Sequence, residues 1–402
     1  MTYPTSVLFL FSLISLISID LPIFKSIPTV GYFITYLSIL IFIIIGLIDK
    51  EFQYTPGFIK KIIITYWLYS IFIIIYGLIF SETYWNYKNV FISYIPSVFV
   101  SFAIFIGLRL DKNLNLLEFI IRKIFPIVLI YGIIGYFLFS NTIYYHNVSR
   151  LGVPIFFFIL AIPFLQKKHQ IFVIVMSIFF IIIDLNWRTN ILRVFFCYSF
   201  VILYFLFSLK KKILNFIGVL VFSMPIILLY LGYSGKFDVF EYIVADQESE
   251  SILAGNTRTF LYVEVFESLK NKNTNLLIGG GASAGYETSF FSDDKVTLSV
   301  DRERFKTEVA FLNTLNKSGM IGVILDILLI FIPAYYVINR SNNDFSKLLS
   351  TYLFLSWILY FLEMPQTLNS NYFMHYLIVG LCLSSSFRNS NNEEIKLLFN
   401  KL

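Results

Sequence analysis

The sequence has few charged residues, few histidines and few cysteines. Asp, Glu, Lys and Arg make up 14% of the 402 residues, whereas 57% are hydrophobic. A soluble globular domain carries about 25% charged residues to cover its surface, so the composition excludes that class. The two cysteines, Cys197 and Cys382, are too few for a disulfide framework. The three histidines lie in separate segments without ligand spacing, so we expect no metal and no cofactor.

Long apolar segments follow one another along the chain. A helix needs about 20 apolar residues to cross the roughly 30 Å hydrocarbon core of a bilayer. The pattern therefore predicts an all-α polytopic membrane protein with about 12 transmembrane helices. The segments lie near residues 5–24, 28–48, 61–80, 89–108, 120–140, 151–166, 171–186, 191–209, 213–232, 320–338, 348–364 and 371–387. Helices 1–9 thus occupy residues 1–232, one long loop occupies 233–319, and helices 10–12 with a cytoplasmic tail occupy 320–402.

Basic residues indicate the side of the membrane on which each connection lies, because Lys and Arg are retained in short cytoplasmic loops. Most of the 31 Lys and Arg residues fall in alternate connections, which places both termini inside and the long loop outside. Arg188 then lies on the external side, with Arg193 about one turn into the next helix. An arginine at that depth faces the bundle interior or an anionic partner, or else extends to the lipid headgroups.

The long loop contains two recognisable features. The segment TRTFLYVEVFESLK predicts an amphipathic helix against the membrane surface. Its predicted apolar positions are Phe260, Val263, Val265, Phe266 and Leu269. A run of glycines, Gly279 to Gly281, follows, and such a run either lets the backbone approach a phosphate closely or forms a flexible turn.

Four motifs, taken in order, show a resemblance to a known family. SRLGVP and WRTNIL each place an arginine beside a predicted span. NTRTFLYVEVFESLKNKNTNLLIGGG places an arginine before a helix and two glycines after it, and TEVAFLNTLNKSGMIGVIL ends the loop with two further glycines. The order of the four motifs along the chain, the side of the membrane on which they lie and their spacing resemble those of the O-antigen polymerase and ligase superfamily. The matching residues are Arg150, Arg188, Arg258, Gly279, Gly281, Gly319 and Gly322.

The resemblance implies a glycosyltransferase of the bacterial cytoplasmic (inner) membrane with its active site on the external, periplasmic face. Its donor and acceptor would be oligosaccharides linked to undecaprenyl pyrophosphate, and its product O-antigen or a related polysaccharide, with a chain-length regulator as a further partner. Arg188 and Arg258 would bind the pyrophosphate, with Arg150 and Arg193 in support. The four glycines would shape the loop. Membrane lipids would surround the chain, and nucleic acid would play no part.

Glu308 distinguishes the two branches of that superfamily. Ligases that attach O-antigen to lipid A core carry a histidine taken as catalytic where this chain has Glu308. The departure favours a polymerase of lipopolysaccharide biosynthesis, with Glu308 as candidate catalytic base. Its simpler interpretation is a helix cap or a salt-bridge partner of Lys306 or Arg304.

Two other functions stay open on the sequence. One is the ligase, and the other is a non-enzymatic flippase or transporter of lipid-linked oligosaccharides, although no internal repeat supports the latter.

Two carboxylates within predicted spans also stand out. Asp184 is placed to hold an arginine, and Asp326 is interpreted as a structural hydrogen-bonding group.

Overall fold

The computed structural model describes residues 36–37, 55, 57–109, 118, 120–138, 148, 152–183, 188–207, 210–233, 259–272, 274–288, 303–364 and 370–400. Within these ranges the chain is mainly helical, with one small sheet. The first two predicted membrane segments lie almost wholly outside them. So do Arg150, Arg258 and Asp184, which the sequence predicts to be important.

The described helices are numbered here in chain order. They are α1 (Gly57–Ile79), α2 (Tyr84–Leu108), α3 (Phe125–Leu138), α4 (Ile155–Ala161), α5 (Lys167–Ile183), α6 (Arg188–Phe207), α7 (Lys211–Tyr233), α8 (Thr259–Asn271), α9 (Ala310–Arg340), α10 (Asp344–Leu362), α11 (Ser370–Leu383), α12 (Ser385–Asn389) and α13 (Asn392–Asn400). Helix α2 contains a π turn at Val90–Tyr94 and a 3-10 turn at Val100–Phe102. The π turn Ile120–Ile124 precedes α3, and the 3-10 turn Ile162–Phe164 ends α4. Strands β1 (Tyr286–Glu287) and β2 (Glu303–Arg304) pair antiparallel.

In the described part of the chain, five helices are long and apolar enough to cross a membrane. They are α1, α2, α6, α9 and α10. The expectation of a helical membrane protein is therefore confirmed at this level. Helices also occupy the other predicted segments from residue 120 onward, among them α7, which is 23 residues long. The count of about 12 spans and the placement of the loop at 233–319 stay predictions.

Helix α10 lies at the centre of the bundle, and α1 and α6 lie at its edge. In the apolar window of α10, 83% of the residues are buried, against 22% in α1 and in α6. Trp357 of α10 stacks on Phe222 of α7 at 5.8 Å and meets Phe331 of α9 edge-on at 5.4 Å. The outer helices expose large apolar side chains, such as Leu68 and Phe195. Broad apolar faces of this kind are suited to contact with lipid chains rather than water.

Helices α2 and α11 cross at two glycines. A Cβ atom on Gly107 would lie 2.0 Å from the carbonyl oxygen of Leu377, and one on Gly380 would lie 2.1 Å from that of Ile104. The two backbones touch because neither glycine has a side chain. Small residues at a crossing are the usual basis of close helix packing in membranes. The crossing fixes α2 against the buried helix α11.

Helix α9 consists of two helices joined at Gly319. This glycine has φ 61° and ψ −165°, a conformation that other residues adopt only under strain. The hydroxyl of Thr314 donates to Asp326 at 2.9 Å, although residues 12 apart in a straight helix are about 18 Å apart. The first part, residues 310–318, therefore folds back onto the second, residues 320–340. The predicted start of the tenth span, at residue 320, falls at this junction.

Helix α8 and the two strands pack beside this junction. The Thr288 hydroxyl donates to Glu264 at 2.8 Å, and the backbone N–H of Glu287 donates to the Ser268 hydroxyl at 3.1 Å. Glu264 and Ser268 therefore lie on the buried face of α8. Val263 and Phe266, two of the predicted apolar positions, are exposed by 45% and 39%. Leu261, Val265 and Leu269 are buried against the protein, and the position of the helix against a membrane surface stays a prediction.

Candidate functional site

Arg193 is the predicted arginine whose side chain the structure describes. It lies in the second turn of α6, with 3% of its surface exposed. Its Nη1 donates to Asn190 Oδ1 at 2.9 Å, and its guanidinium lies 5.9 Å from the centre of the Phe156 ring. Among the described residues Asn190 is its only hydrogen-bond partner. A guanidinium has five N–H donors, so most of them have no acceptor in the described part of the chain.

Among the described residues no ion pair involves Arg193. Glu363, at the end of α10, and Tyr352 lie close enough to interact with it electrostatically. The ion pairs found in the described ranges involve other residues. His375 of α11 also interacts with Arg193, and its buried Nδ1 has no hydrogen-bond partner among the described residues. The unused N–H groups of the Arg193 guanidinium are suited to an anion.

His375 was not singled out for this role by the sequence. It stands within NYFMHYLIV, an apolar segment that predicts only a membrane helix. Its proximity to Arg193 joins residues from α6 and α11, which are far apart in the chain. Arg188 is the first residue of α6, one position in the chain ahead of the buried Thr189. Electrostatic interactions thus link Arg193 with Glu363 and with His375.

Glu308 lies beside the end of α10. Its carbonyl oxygen accepts a hydrogen bond from the backbone N–H of Met364 at 3.0 Å, while its side chain is exposed. The neighbouring Thr307 fixes the turn, because its backbone N–H donates to Asn313 Oδ1 and its carbonyl accepts from Asn313 Nδ2, both at 2.8 Å. Glu308 is thus held next to Glu363, the residue that interacts with Arg193. Its predicted role as a base stays a prediction.

Four glycines and their neighbours form what we call the glycine junction, the contact of residues 279–281 with the break at Gly319. Gly279 and Gly281 have φ of 79° and 86°. The N–H groups of Gly280 and Gly281 donate to the carbonyls of Asn316 and Lys317 at 2.8 and 3.0 Å. The loop carbonyls of Leu276 and Leu277 accept from Met320 and Ile321 at 2.9 and 3.2 Å. Backbone groups that the break in α9 leaves free are therefore satisfied by the loop.

These contacts bear on the two interpretations of the glycine run. The N–H of Gly279 donates to the carbonyl of Asn275 at 2.7 Å, so the amides of all three consecutive glycines are occupied by protein. The loop also touches α1, where a Cβ on Gly281 would lie 2.9 Å from the backbone of Gly77. This geometry favours packing of backbone against backbone over a phosphate cradle. Gly322 lies away from the loop, against side chains of the first part of α9, where a Cβ would lie 2.4 Å from that of Ser318.

Replacing Gly319 by alanine is expected to disrupt the junction. The new Cβ would lie 2.4 Å from the carbonyl oxygen of Leu277, and the positive φ would be strained, so we expect a loss of about 2 kcal/mol or more of stability. The check is the melting temperature of the detergent-purified protein. Met320→Leu, at a side chain 40% exposed, is the control and should melt like the wild type. A Gly319→Ala variant that melts normally would contradict the geometry of the break.

A polar cavity lies between α1, α2, α9 and α11. Its volume is about 30 Å³, and it is lined by Tyr66, Tyr69, Ser70, Tyr94, Ser97, Val98, Thr314, Ser318, Gly322, Leu325, Asp326 and Tyr372. That volume has room for about two water molecules. Asp326 is 6% exposed, and its Oδ2 accepts hydrogen bonds from Thr314 at 2.9 Å and from the Tyr360 hydroxyl at 2.7 Å. The carboxylate expected to be structural therefore also lines a cavity.

No known protein family, curated protein or solved structure matches the chain. The resemblance to the O-antigen polymerase and ligase superfamily consequently stays a prediction. In the described ranges no group of three or more His, Cys, Asp or Glu side chains is placed to hold a metal ion. Arg193 with its neighbours and the cavity at Asp326 are the described features that bear on function.

Proposed function

We propose that this protein polymerises lipid-linked oligosaccharide units into O-antigen or a related surface polysaccharide. The observation that supports the proposal is the buried guanidinium of Arg193, whose only described hydrogen-bond partner is Asn190. A buried arginine in a membrane helix is costly, and it is retained where it meets an anion or a polar pathway. The pyrophosphate that links a glycan to undecaprenol is such an anion, held at the membrane by its own lipid.

The chemistry requires charge stabilisation more than covalent assistance. As the acceptor hydroxyl bonds to the anomeric carbon, the bond from that carbon to the pyrophosphate breaks, and negative charge grows on the leaving oxygen. A guanidinium binds phosphate oxygens through two parallel N–H groups and stays charged at any working pH. Arg193 would supply that charge, with Arg188 at the start of the same helix. Arg150 and Arg258, which lie outside the described residues, stay predicted ligands of the pyrophosphate. The presence of Glu308 instead of the ligase histidine supports polymerisation over ligation.

Arg193→Gln is expected to abolish long glycan chains. Removing one preorganised donor to a developing negative charge lowers rates by about 10²- to 10³-fold. Arg193→Lys should give shorter chains than the wild type, because lysine keeps the charge but not the paired donors. The measurement is glycan banding on a gel, in cells that lack the native protein and express each variant at matched membrane levels. Arg122→Gln is the control, since Arg122 is exposed and paired with Glu118 at 3.0 Å.

Three outcomes decide between the candidate functions. A ladder with the wild type and a single-unit product with Arg193→Gln supports the polymerase. A ladder that forms without the protein, on its lipid carrier, with only its transfer to lipid A changed, would establish the ligase instead. A normal ladder with well-expressed Arg193→Gln would rule out Arg193 as a pyrophosphate ligand.

A further inference from the structure

Asp326 is a buried carboxylate that the proposed function does not yet use. It lies seven residues beyond the break at Gly319, on α9, and is 6% exposed. An ionisable side chain within a membrane helix is costly, and its persistence usually marks a polar pathway or a functional site. Among the described residues no basic side chain forms an ion pair with it. Neutralisation by a neighbouring charge therefore does not explain why this position is acidic.

The hydrogen bonds of Asp326 are arranged on one side of the carboxylate. Oδ2 accepts both the Thr314 hydroxyl and the Tyr360 hydroxyl. In the described part of the chain no donor reaches Oδ1, and Asp326 lines the cavity. The two donors fix the orientation of the group and stabilise its ionised form. The other oxygen is left for a water molecule, since the cavity has room for about two.

The lining of the cavity is suited to proton transfer rather than to binding an anion. Tyr66, Tyr69, Tyr94 and Tyr372 contribute hydroxyl groups, and no Lys, Arg or His lines it among the described residues. The hydroxyls of Tyr66 and Tyr376 lie 3.1 Å apart, which extends the hydrogen-bonded groups into α11. Hydroxyls and water both donate and accept, so they can pass a proton to a carboxylate. Asp326 is the only carboxylate in the described lining.

The cavity and the Arg193 site are separated by one turn of α11. Tyr372 lines the cavity, and its ring lies 6.3 Å from that of His375, which interacts with Arg193. A glycosyl transfer needs a charge-stabilising group on the leaving phosphate and a proton acceptor on the attacking hydroxyl, at different places around the anomeric carbon. Arg193 and Asp326 are the two such groups that the chain from His375 to Tyr372 connects.

We propose that Asp326 accepts, through water in this cavity, the proton released by the acceptor hydroxyl. The inference rests on the proposed function and gives Asp326 the task that the sequence predicts for the exposed Glu308. The acceptor oxygen bonds to the anomeric carbon, and the electron pair of the broken bond leaves with the pyrophosphate. The proton moves from the hydroxyl to water and then to Asp326, from which it returns to solvent. Asp326 thus accepts the proton through water and positions that water, without contact with the substrate.

The test is a pH profile of polymerisation by the purified protein in detergent. Its probe is the single-unit undecaprenyl-pyrophosphate glycan, extracted from cells lacking the protein, which serves as both donor and acceptor. The wild-type rate should fall as the pH is lowered, because the carboxylate becomes protonated. Thr314→Val and Tyr360→Phe each remove one donor to the ionised carboxylate, so each should move this fall to higher pH by about one unit. Asp326→Asn should lower the rate at least tenfold and abolish the fall.

Other groups face Asp326 and must be considered in the profile. Tyr66, Tyr94, Tyr360 and Tyr376 interact with it electrostatically, while Tyr69 and Tyr372 share the cavity. Lys317, on the first part of α9, donates to Asn89. None of these is an acid that ordinarily titrates below neutral pH. Glu308→Gln tests the rival base that the sequence predicts, and it should keep the fall if Asp326 is the proton acceptor.

The possible results separate this inference from the proposed function. A wild-type protein that makes no polymer from the extract would overturn the proposed function itself. Wild-type polymerisation with an unchanged profile in Thr314→Val and Tyr360→Phe, or with the fall lost only in Glu308→Gln, would overturn the role of Asp326 alone. If Asp326→Asn does not fold, Asp326→Glu and the two donor variants decide: a displaced fall supports the proposal, and an unmoved one contradicts it.

Discussion

Gly107→Ala and Gly380→Ala are expected to destabilise the protein, whereas Gly57→Ala is expected to leave its stability unchanged. At the α2–α11 crossing an added methyl group would lie 2.0 to 2.1 Å from a backbone carbonyl oxygen, so the helices must separate. Overpacking of this kind costs about 1–3 kcal/mol, and more where neither backbone can move. Gly57 is the first residue of α1, and no described atom lies within 4 Å of the new Cβ, so alanine fits there without a clash.

The measurement is thermal unfolding of the three purified variants in one detergent, followed by intrinsic fluorescence. All three variants replace glycine by alanine. A lower melting temperature in Gly107→Ala and Gly380→Ala, but not in Gly57→Ala, is therefore an effect of the close approach of α2 and α11. The double variant Gly107→Ala/Gly380→Ala should cost less than the sum of the singles, because helices already separated by one methyl group admit the second more easily. Equal melting temperatures for Gly107→Ala and Gly57→Ala would contradict the close approach of α2 and α11.

Local sequence patterns predict the helices of this protein well. Each apolar segment from residue 61 to 232, and again from residue 320, contains a helix, because hydrophobic runs of this length leave the backbone no other way to satisfy its hydrogen bonds in a membrane. The glycines of the long loop were also identified from the sequence. Their positive φ angles at Gly279, Gly281 and Gly319 are the backbone feature for which glycine is suited.

Those local patterns do not predict polar contacts between residues that are far apart in the chain. Residues 310–319 include Asn313, Asn316 and Lys317, a composition typical of a solvent-exposed loop, yet the structure buries all ten residues. They are buried because the glycine junction and the end of α10 cover them, and neither contact is visible in a periodicity. Asp326 accepts a hydrogen bond from Tyr360, which lies 34 residues later in the chain. Only the three-dimensional arrangement shows that this carboxylate faces a cavity.

Lys317 is the clearest case of a charge that depends on one distant partner. Its side chain is 4% exposed, and its Nζ donates to Asn89 Oδ1 at 3.2 Å, 228 residues earlier in the chain. The ammonium lies 5.7 Å from the centre of the Tyr94 ring. In the described part of the chain no carboxylate pairs with it. Asn89 also donates to the carbonyl of Ala282 at 3.0 Å, so one amide holds both Lys317 and the glycine loop.

Asn89→Leu is therefore expected to be strongly destabilising, and Lys317→Met to suppress part of the damage. Leucine leaves the buried ammonium without its described acceptor, at a cost of about 3 kcal/mol or more. Methionine fills a similar volume without charge but leaves Asn89 Oδ1 without its described donor, so Lys317→Met alone should cost about 1–3 kcal/mol, less than Asn89→Leu. In thermal unfolding, the double variant should melt above Asn89→Leu but below the wild type, since the bond to Ala282 stays lost. Strictly additive effects would show that Lys317 does not depend on Asn89, because two residues that share no interaction do not suppress each other's loss.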